Sequence, residues 1–140
     1  MNTEEIRSAF LRIFDAVWHD REQCARIIES RFTEDYLFHV SPLAEPMNRA
    51  AFAGMVPHWQ KAFPDGRMNI LDIAVEGNQV WCFWESVGTH SDEYLGIPKT
   101  GRPVRYQGVD IWLFDEDLQV AESWAVPDVF TLMRQLGAIP

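Results

Sequence analysis

The stretch MNILDIAVEGNQVWCFWESVGTH, residues 68–90, contains two runs of β-branched and aromatic residues separated by Glu-Gly-Asn. Such side chains pack well on a pleated sheet, and glycine beside asparagine is typical of a tight hairpin turn. A second pair of runs, PVRYQGVDIWLF and LQVAESWAV, flanks the turn sequence Asp-Glu-Asp. The sequence therefore predicts an antiparallel sheet of four or more strands over residues 68–126.

Helical spacing replaces strand patterning in the first half of the chain. Thr3 and two glutamates precede an apolar repeat that predicts a helix over residues 3–19, with Ile6, Phe10, Ile13, Phe14 and Val17 on one face. A shorter second helix is expected around Cys24, Ile27 and Ile28. Asn48 is the predicted N-cap of a third helix, which Pro57 should kink or divide.

Two segments outside these elements are marked by proline and glycine. Residues 32–46 lose the helical period and carry Pro42 and Pro46, which favours an extended or looped path. Pro127 can begin a last helix, PDVFTLMRQL, which Gly137 would end. Helices followed by antiparallel strands predict an α+β fold with helices on one face of the sheet, formed by residues 1–140 as a single domain.

The strand at residues 104–114 is apolar on both faces. Val104, Tyr106, Asp110, Trp112 and Phe114 alternate with Val109, Ile111 and Leu113. Because helices can cover one face only, the second face needs a cover of its own, either the C-terminal helix or a second subunit. We expect a homodimer, with the second set of residues at the interface.

Charge and cysteine content exclude several classes of protein. A formal net charge of −9 with scattered Lys and Arg argues against nucleic-acid binding. Cys24 and Cys82 lie far apart, without the spacing of a zinc site or a disulfide framework. The acidic N-terminus is unlike a signal peptide, and no apolar run is long enough to span a bilayer, so we expect a cytoplasmic protein without membrane contact.

Asp110 is the unusual residue of its strand. A carboxylate that faces an apolar pocket loses hydration, which raises its pKa and makes it a better base near neutral pH. Gly108 on the same face removes a side chain next to the carboxylate and should leave room for a ligand. The structural alternative is a buried Asp110 tied to backbone donors or to an arginine such as Arg105 or Arg67.

Several stretches of the second half resemble one known family. GTHSDEYLGIPKTGRPVRYQGVDIWLF, followed by ESWAVPD and MRQLGA, is similar to the SnoaL-like polyketide cyclases. This group belongs to the superfamily of nuclear transport factor two, ketosteroid isomerase and scytalone dehydratase. The resemblance implies a cone-shaped, curved antiparallel sheet, helices that close a deep apolar pocket, and dimerisation through the outer sheet face.

The same resemblance also implies a difference in the active site. In the characterised cyclases, the position that matches Asp110 carries a histidine beside a catalytic aspartate on the next strand, and that aspartate is replaced here by Ala125. A polar residue on the third helix is replaced by Met55, whereas Trp18 matches an aromatic pocket residue. The resemblance therefore carries over the fold and the pocket, but not the cyclase reaction.

Candidate site residues follow from these arguments. Asp110 and His39 are the predicted acid/base residues, with His39 at the mouth of the cone; its alternative is a hydrogen-bonded wall residue. The predicted ligand-binding residues are Trp18, Tyr36, Met55, His58, Trp59, Tyr106, Trp112 and Ala125. The six tryptophans and nine phenylalanines wall a ligand cavity or simply fill the core.

No other motif competes with this interpretation. The chain lacks GxSxG, Walker A and GxGxxG sequences and the spacing of a metal triad, so we expect neither metal nor cofactor. Two functions stay open: an enzyme of cofactor-free proton chemistry, such as aldol-type cyclisation, isomerisation or dehydration, and a non-catalytic module that binds an apolar molecule or dimerises.

Overall fold

A computed structural model describes residues 2–140, which form four helices and a curved, unclosed sheet of six strands. The helices are α1 (Thr3–His19), α2 (Cys24–Arg31), α3 (Arg49–Ala62) and α4 (Val129–Gln135). The strands are β1 (Phe32–Val40), β2 (Met47–Asn48), β3 (Arg67–Glu76), β4 (Gln79–Thr89), β5 (Pro103–Phe114) and β6 (Val120–Pro127). The predicted α+β class with a curved sheet is confirmed.

The helices of the first half match their sequence signals. The apolar face predicted for α1 is buried, and the side chain of Asn2 accepts the Glu5 backbone N–H at 2.9 Å as the N-cap. Asn48 caps α3 by accepting the Ala51 N–H at 2.9 Å, as predicted. The helix then continues through Pro57 to Ala62 instead of being divided, because Phe52, Val56 and Trp59 bury one side of it against the core.

The order of the sheet is β2-β1-β6-β5-β4-β3, with the two predicted hairpins side by side. The four strands between residues 67 and 127 are antiparallel, as predicted, whereas β1 pairs with β6 in parallel. Of the extended and looped paths considered for residues 32–46, Phe32–Val40 follows the extended one. Phe32, Tyr36 and Phe38 are buried there, so aromatic packing holds an extended strand despite the prolines that follow.

Helices cover the inner, concave face of the sheet. Phe10 of α1 packs edge-on against Trp112 of β5, with ring centroids 4.8 Å apart, and Phe52 of α3 lies 4.9 Å from Phe38 of β1. The inward residues of β4 and β5 are buried in strict alternation. This arrangement confirms that the first and third helices lie across one face of the sheet.

The last helix starts two residues later than predicted. Pro127 ends β6, and α4 begins at Val129 with Asp128 as its N-cap, because the Asp128 side chain accepts the Thr131 N–H. The side-chain amide of Gln135 bonds the backbone N–H and C=O of Arg105, each at 2.8 Å. Since β6 ends opposite Gly108, this amide occupies an edge of β5 that β6 leaves unpaired.

The outer face of the sheet is largely apolar and only partly covered. Trp81 is 46% exposed, Phe83 40% and Val126 60%. The same face also carries Leu37, Val109, Ile111, Leu113 and Trp124. None of the helices formed by residues 2–140 is both long and apolar enough to span a membrane.

Candidate active site

A cavity of about 80 Å³ lies between the concave face of the sheet and helices α1 and α3. A second space of about 310 Å³, here called the vestibule, lies beside it and is formed in part by the last helix and the loop after β1. Both spaces have almost entirely apolar walls, and they share the residues Val40, Met55, Tyr94, Tyr106 and Pro127. The two spaces are therefore adjacent.

Asp110 is the carboxylate of the inner cavity. The indole N–H of Trp84 donates to one carboxylate oxygen at 2.8 Å, and that of Trp112 donates to the other at 3.2 Å. No cation among residues 2–140 offsets its charge, and Arg105 instead pairs with Glu85 on the outer face. The arginine-bound alternative is thus contradicted.

The pKa of Asp110 follows from this environment. Burial disfavours the ionised carboxylate and raises the pKa to about 6, although the two indole donors act in the opposite direction. The charge of Asp110 also contributes to a raised pKa of the Cys82 thiol, about 12, for which burial is the main cause. A carboxyl group with a pKa close to neutral pH can both accept and return a proton.

Five of the predicted ligand-binding residues line the inner cavity: Trp18, Met55, Trp59, Tyr106 and Ala125. Ala125 lies directly opposite Asp110 in the β5–β6 register, so the small side chain borders the carboxylate. His58 lines the vestibule, where its ring stacks on Tyr94 and approaches Glu93 at 3.7 Å.

His39 is not at the mouth of the cone, contrary to the prediction. Strand alternation turns Phe38 and Val40 inward, so that His39 lies on the outer face of the sheet. There its Nε2 bonds a carboxylate oxygen of Glu122 at 2.6 Å, and its ring stacks on Trp124 at 5.2 Å. Because the sheet separates His39 from the cavity, it cannot exchange a proton with a ligand beside Asp110.

Tyr36 and Trp112 face inward but belong to the packed core beneath the cavity. The Tyr36 hydroxyl forms a short hydrogen bond with Ser123, and its ring packs edge-on against Phe32. Trp112 is enclosed by aromatic side chains of α1 and acts on the site through its hydrogen bond to Asp110. Both residues were predicted to bind ligand, but neither lines the inner cavity or the vestibule.

Gly108 does not leave room for a ligand, so this prediction is also wrong. A Cβ built at Gly108 would lie 2.3 Å from Cζ2 of the Trp84 ring. The indole of Trp84 fills the space above the glycine and is thereby positioned to donate to Asp110. The glycine serves the placement of Trp84 and not the entry of a ligand.

Other wall residues were missed by the sequence analysis: Phe38, Val40, Met68, Trp84, Tyr94 and Pro127. Trp84 lies two residues after Cys82 in β4, so both side chains point to the same, inner face of the sheet. The sequence alone did not show which face of β4 lines the cavity. Tyr94 lies in the loop of residues 90–102, whose Gly and Pro content predicts turns but does not indicate which side chains face a cavity.

The loop of residues 90–102 is closed by hydrogen bonds of His90. The backbone N–H of His90 donates to Arg102 O at 2.9 Å, and its C=O accepts the Gly101 N–H at 2.8 Å. Its ring Nδ1 accepts the Thr100 backbone N–H at 3.2 Å. This buried histidine holds the loop that carries Tyr94.

The fold and the site together define a class: an α+β cone protein with a buried carboxylate in an apolar cavity. The model of the SnoaL-like polyketide cyclases matches residues 8–136. The chain therefore belongs to the SnoaL-like polyketide cyclase family. Among curated proteins, no sequence matches it.

Solved structures share the fold along their full length. AclR from Streptomyces galilaeus is 24% identical with a TM-score of 0.85, and the match covers 99% of this chain and 100% of that chain. TsrD from Streptomyces laurentii is 23% identical with a TM-score of 0.82, over 99% of both chains. A SnoaL-like polyketide cyclase from Agrobacterium tumefaciens is 18% identical with a TM-score of 0.77, over 98% and 100%. At these identities the likeness shows the fold alone.

Proposed function

We propose that the protein binds an apolar, cyclic or polyketide-like molecule and transfers a proton at a carbon next to a carbonyl group, with Asp110 as the base. The observation that carries the proposal is a buried carboxylate in the wall of an apolar cavity, for which residues 2–140 supply no neutralising cation. Aldol-type cyclisation, isomerisation and dehydration all begin with such a proton transfer, and none of them needs a cofactor.

The register of the sheet supports this assignment. The resemblance to characterised cyclases assigns their catalytic aspartate to the position of Ala125, which cannot transfer a proton. Asp110 is the cross-strand neighbour of Ala125 and lines the same cavity. We infer that the acid/base carboxylate of this chain is on β5, whereas the resemblance assigns that of the characterised cyclases to β6. The small side chain of Ala125 would then leave space for the ligand beside Asp110.

The proposal is tested by proton exchange at carbon. 2-Tetralone is a suitable probe because its bicyclic frame is apolar and its carbonyl group acidifies the neighbouring C–H bonds. In D₂O, the protein should replace the α-protons of 2-tetralone with deuterium faster than buffer does, as followed by proton NMR. Binding of 2-tetralone without any acceleration above buffer would favour the non-catalytic module.

The rate of this exchange should depend on pH with a midpoint near 6. Only the ionised carboxylate is a base, and burial raises the pKa of Asp110 to about 6. Below that pH the rate should fall about tenfold for each pH unit, and above it the rate should level off. The check is a series of NMR exchange rates from about pH 4.5 to 8, each corrected for buffer. A rate that follows hydroxide concentration throughout would contradict a role for Asp110.

The outer face of the sheet supports a second proposal, a homodimer. Phe83 lies opposite Val109 near the centre of this apolar face, with Trp81 and Ile111 next to them in the same register. An exposed apolar surface of this kind is typical of an interface. The proposed second subunit would bury Val109, Ile111 and Leu113 without closing the cavity on the opposite face.

Light scattering should give the wild-type protein about twice the chain mass of 16.2 kDa. Phe83→Glu should give a monomer, because it places a charge at the centre of the proposed interface. Leu11→Glu is the matched control: Leu11 is 41% exposed on α1, close to the 40% of Phe83, but lies away from the sheet face. A monomeric wild type at micromolar concentration would contradict the dimer.

A further inference from the structure

Tyr94 is a cavity residue that neither the sequence motifs nor the proposed base explains. It lies in the loop of residues 90–102, and its side chain lines both the inner cavity and the vestibule. The ring packs edge-on against Phe63 at 5.2 Å and stacks on His58 at 5.7 Å. These contacts and the loop closure at His90 fix the phenol at the junction of the two spaces.

The hydroxyl group of Tyr94 differs from those of the other two tyrosines. The Tyr36 hydroxyl forms a hydrogen bond with Ser123, and the Tyr106 hydroxyl forms hydrogen bonds with the side chains of Ser86 and Trp59. Within residues 2–140, no such partner is found for Tyr94. Burial raises the pKa of its phenol, so the group stays protonated at neutral pH and can donate a hydrogen bond. Tyr94 is half-buried, so its hydroxyl is a donor at the cavity wall that a ligand acceptor can reach and bond.

Asp110 and Tyr94 stand in the wall of the same cavity but come from different elements, the fifth strand and the loop before it. Resting on the function proposed above, we infer that Tyr94 is a second catalytic residue: it donates a hydrogen bond to the carbonyl oxygen of the substrate whose α-carbon faces Asp110. The substrate class is thereby narrowed to apolar molecules with an enolisable ketone or thioester carbonyl group.

The reaction step balances without another reactant. Asp110 takes the α-proton, the electron pair of the C–H bond forms a carbon–carbon double bond, and the π pair of the carbonyl group moves to oxygen. The Tyr94 O–H donates to this oxygen and binds it more strongly as negative charge develops. Return of the proton, or of a deuteron from solvent, from Asp110 to carbon restores the ketone.

The test uses Tyr94→Phe with a matched pair of ligands. 2-Tetralone has a carbonyl group, and tetralin has the same bicyclic frame without it. By calorimetric titration, Tyr94→Phe should bind 2-tetralone about 5- to 10-fold more weakly than wild type and bind tetralin equally well. Its exchange rate should fall by about 100-fold, whereas the pH midpoint should stay near that of wild type because the base is unchanged.

Tyr36→Phe is the matched control, because it removes a phenolic hydroxyl that bonds Ser123 beneath the cavity. It should leave the ratio of 2-tetralone affinity to tetralin affinity unchanged. Equal affinity of Tyr94→Phe and wild type for 2-tetralone would overturn the inference, as would an equal loss for both ligands, which indicates packing alone. If wild type binds 2-tetralone but exchanges no proton, the proposed base is wrong, and the ligand pair still decides whether Tyr94 binds the carbonyl.

Discussion

The Asp110→Asn variant is expected to lower the rate of α-proton exchange by roughly 100-fold or more, because the amide keeps the size of the carboxylate but cannot accept the proton. Binding of 2-tetralone should persist, since the cavity walls are unchanged. Parallel NMR exchange and calorimetric titration measure the two effects on one preparation. Undiminished exchange in the variant would remove Asp110 from the mechanism.

The same variant should also change how stability depends on pH. The folded chain holds a proton on Asp110 up to about pH 6, whereas the unfolded chain releases it near the ordinary value of 3.8. Between these values the folded state binds more protons, so wild-type stability decreases as pH rises through this window. Above the window, the ionised carboxylate disfavours folding by about 3 kcal/mol relative to its protonated form.

The side-chain amide of the Asp110→Asn variant has no proton to gain or lose in this pH range, so the difference between the two proteins isolates this contribution. Relative to the variant, wild type should gain about 2 kcal/mol of unfolding free energy between about pH 7.5 and about pH 4.5. Urea unfolding at several pH values measures it, and the shifts of all other carboxylates cancel in the comparison. A difference that stays constant with pH would show that burial does not raise the pKa of Asp110.

The Gly108→Ala substitution should be the most damaging small change in the sheet. The new methyl group would overlap the Trp84 ring, with three ring atoms between 2.3 and 2.9 Å. The buried indole of Trp84 cannot shift without displacing its neighbours, and its hydrogen bond to Asp110 would be strained or lost. We expect a loss of about 2 to 4 kcal/mol in the free energy of unfolding, measured by urea titration.

Gly54→Ala is the matched control for this substitution. Gly54 is exposed within α3, and nothing lies within 4 Å of a Cβ built there. Alanine at this helical position should therefore raise stability by about 0.5 to 1 kcal/mol. If Gly108→Ala unfolds at the wild-type urea concentration, Trp84 can move without loss and the proposed role of the glycine fails.

Alternation along single elements was predictable, because it depends on local spacing. The period of two in β5 assigned Tyr106, Asp110 and Trp112 to the inner face, and the helical period defined the buried face of α1. Capping residues such as Asn48 were likewise read from local chemistry. In each case the residues that decide the structure are neighbours in sequence.

Features that depend on contacts between distant segments were not predictable in the same way. The parallel partner of β1 lies on β6, so the sequence near His39 did not establish that this segment is a strand, whose alternation places His39 on the outer face. The distinction between a cavity wall and the core beneath it requires the depth of each side chain. For that reason the predicted ligand contacts include Tyr36 and Trp112 but not Tyr94.

The pairing of β1 with β6 has a consequence for synthesis on the ribosome. Phe38 of β1 meets Ser123 of β6, and every parallel contact of β1 is of this long range. During translation, β1 and the rings of Phe32 and Phe38 emerge long before their partner strand and stay without it until β6 has left the exit tunnel. Non-local pairing of this kind slows folding and exposes nascent chains to aggregation. The interval between the emergence of these two strands is therefore the stage at which we expect the nascent chain to be most exposed to aggregation.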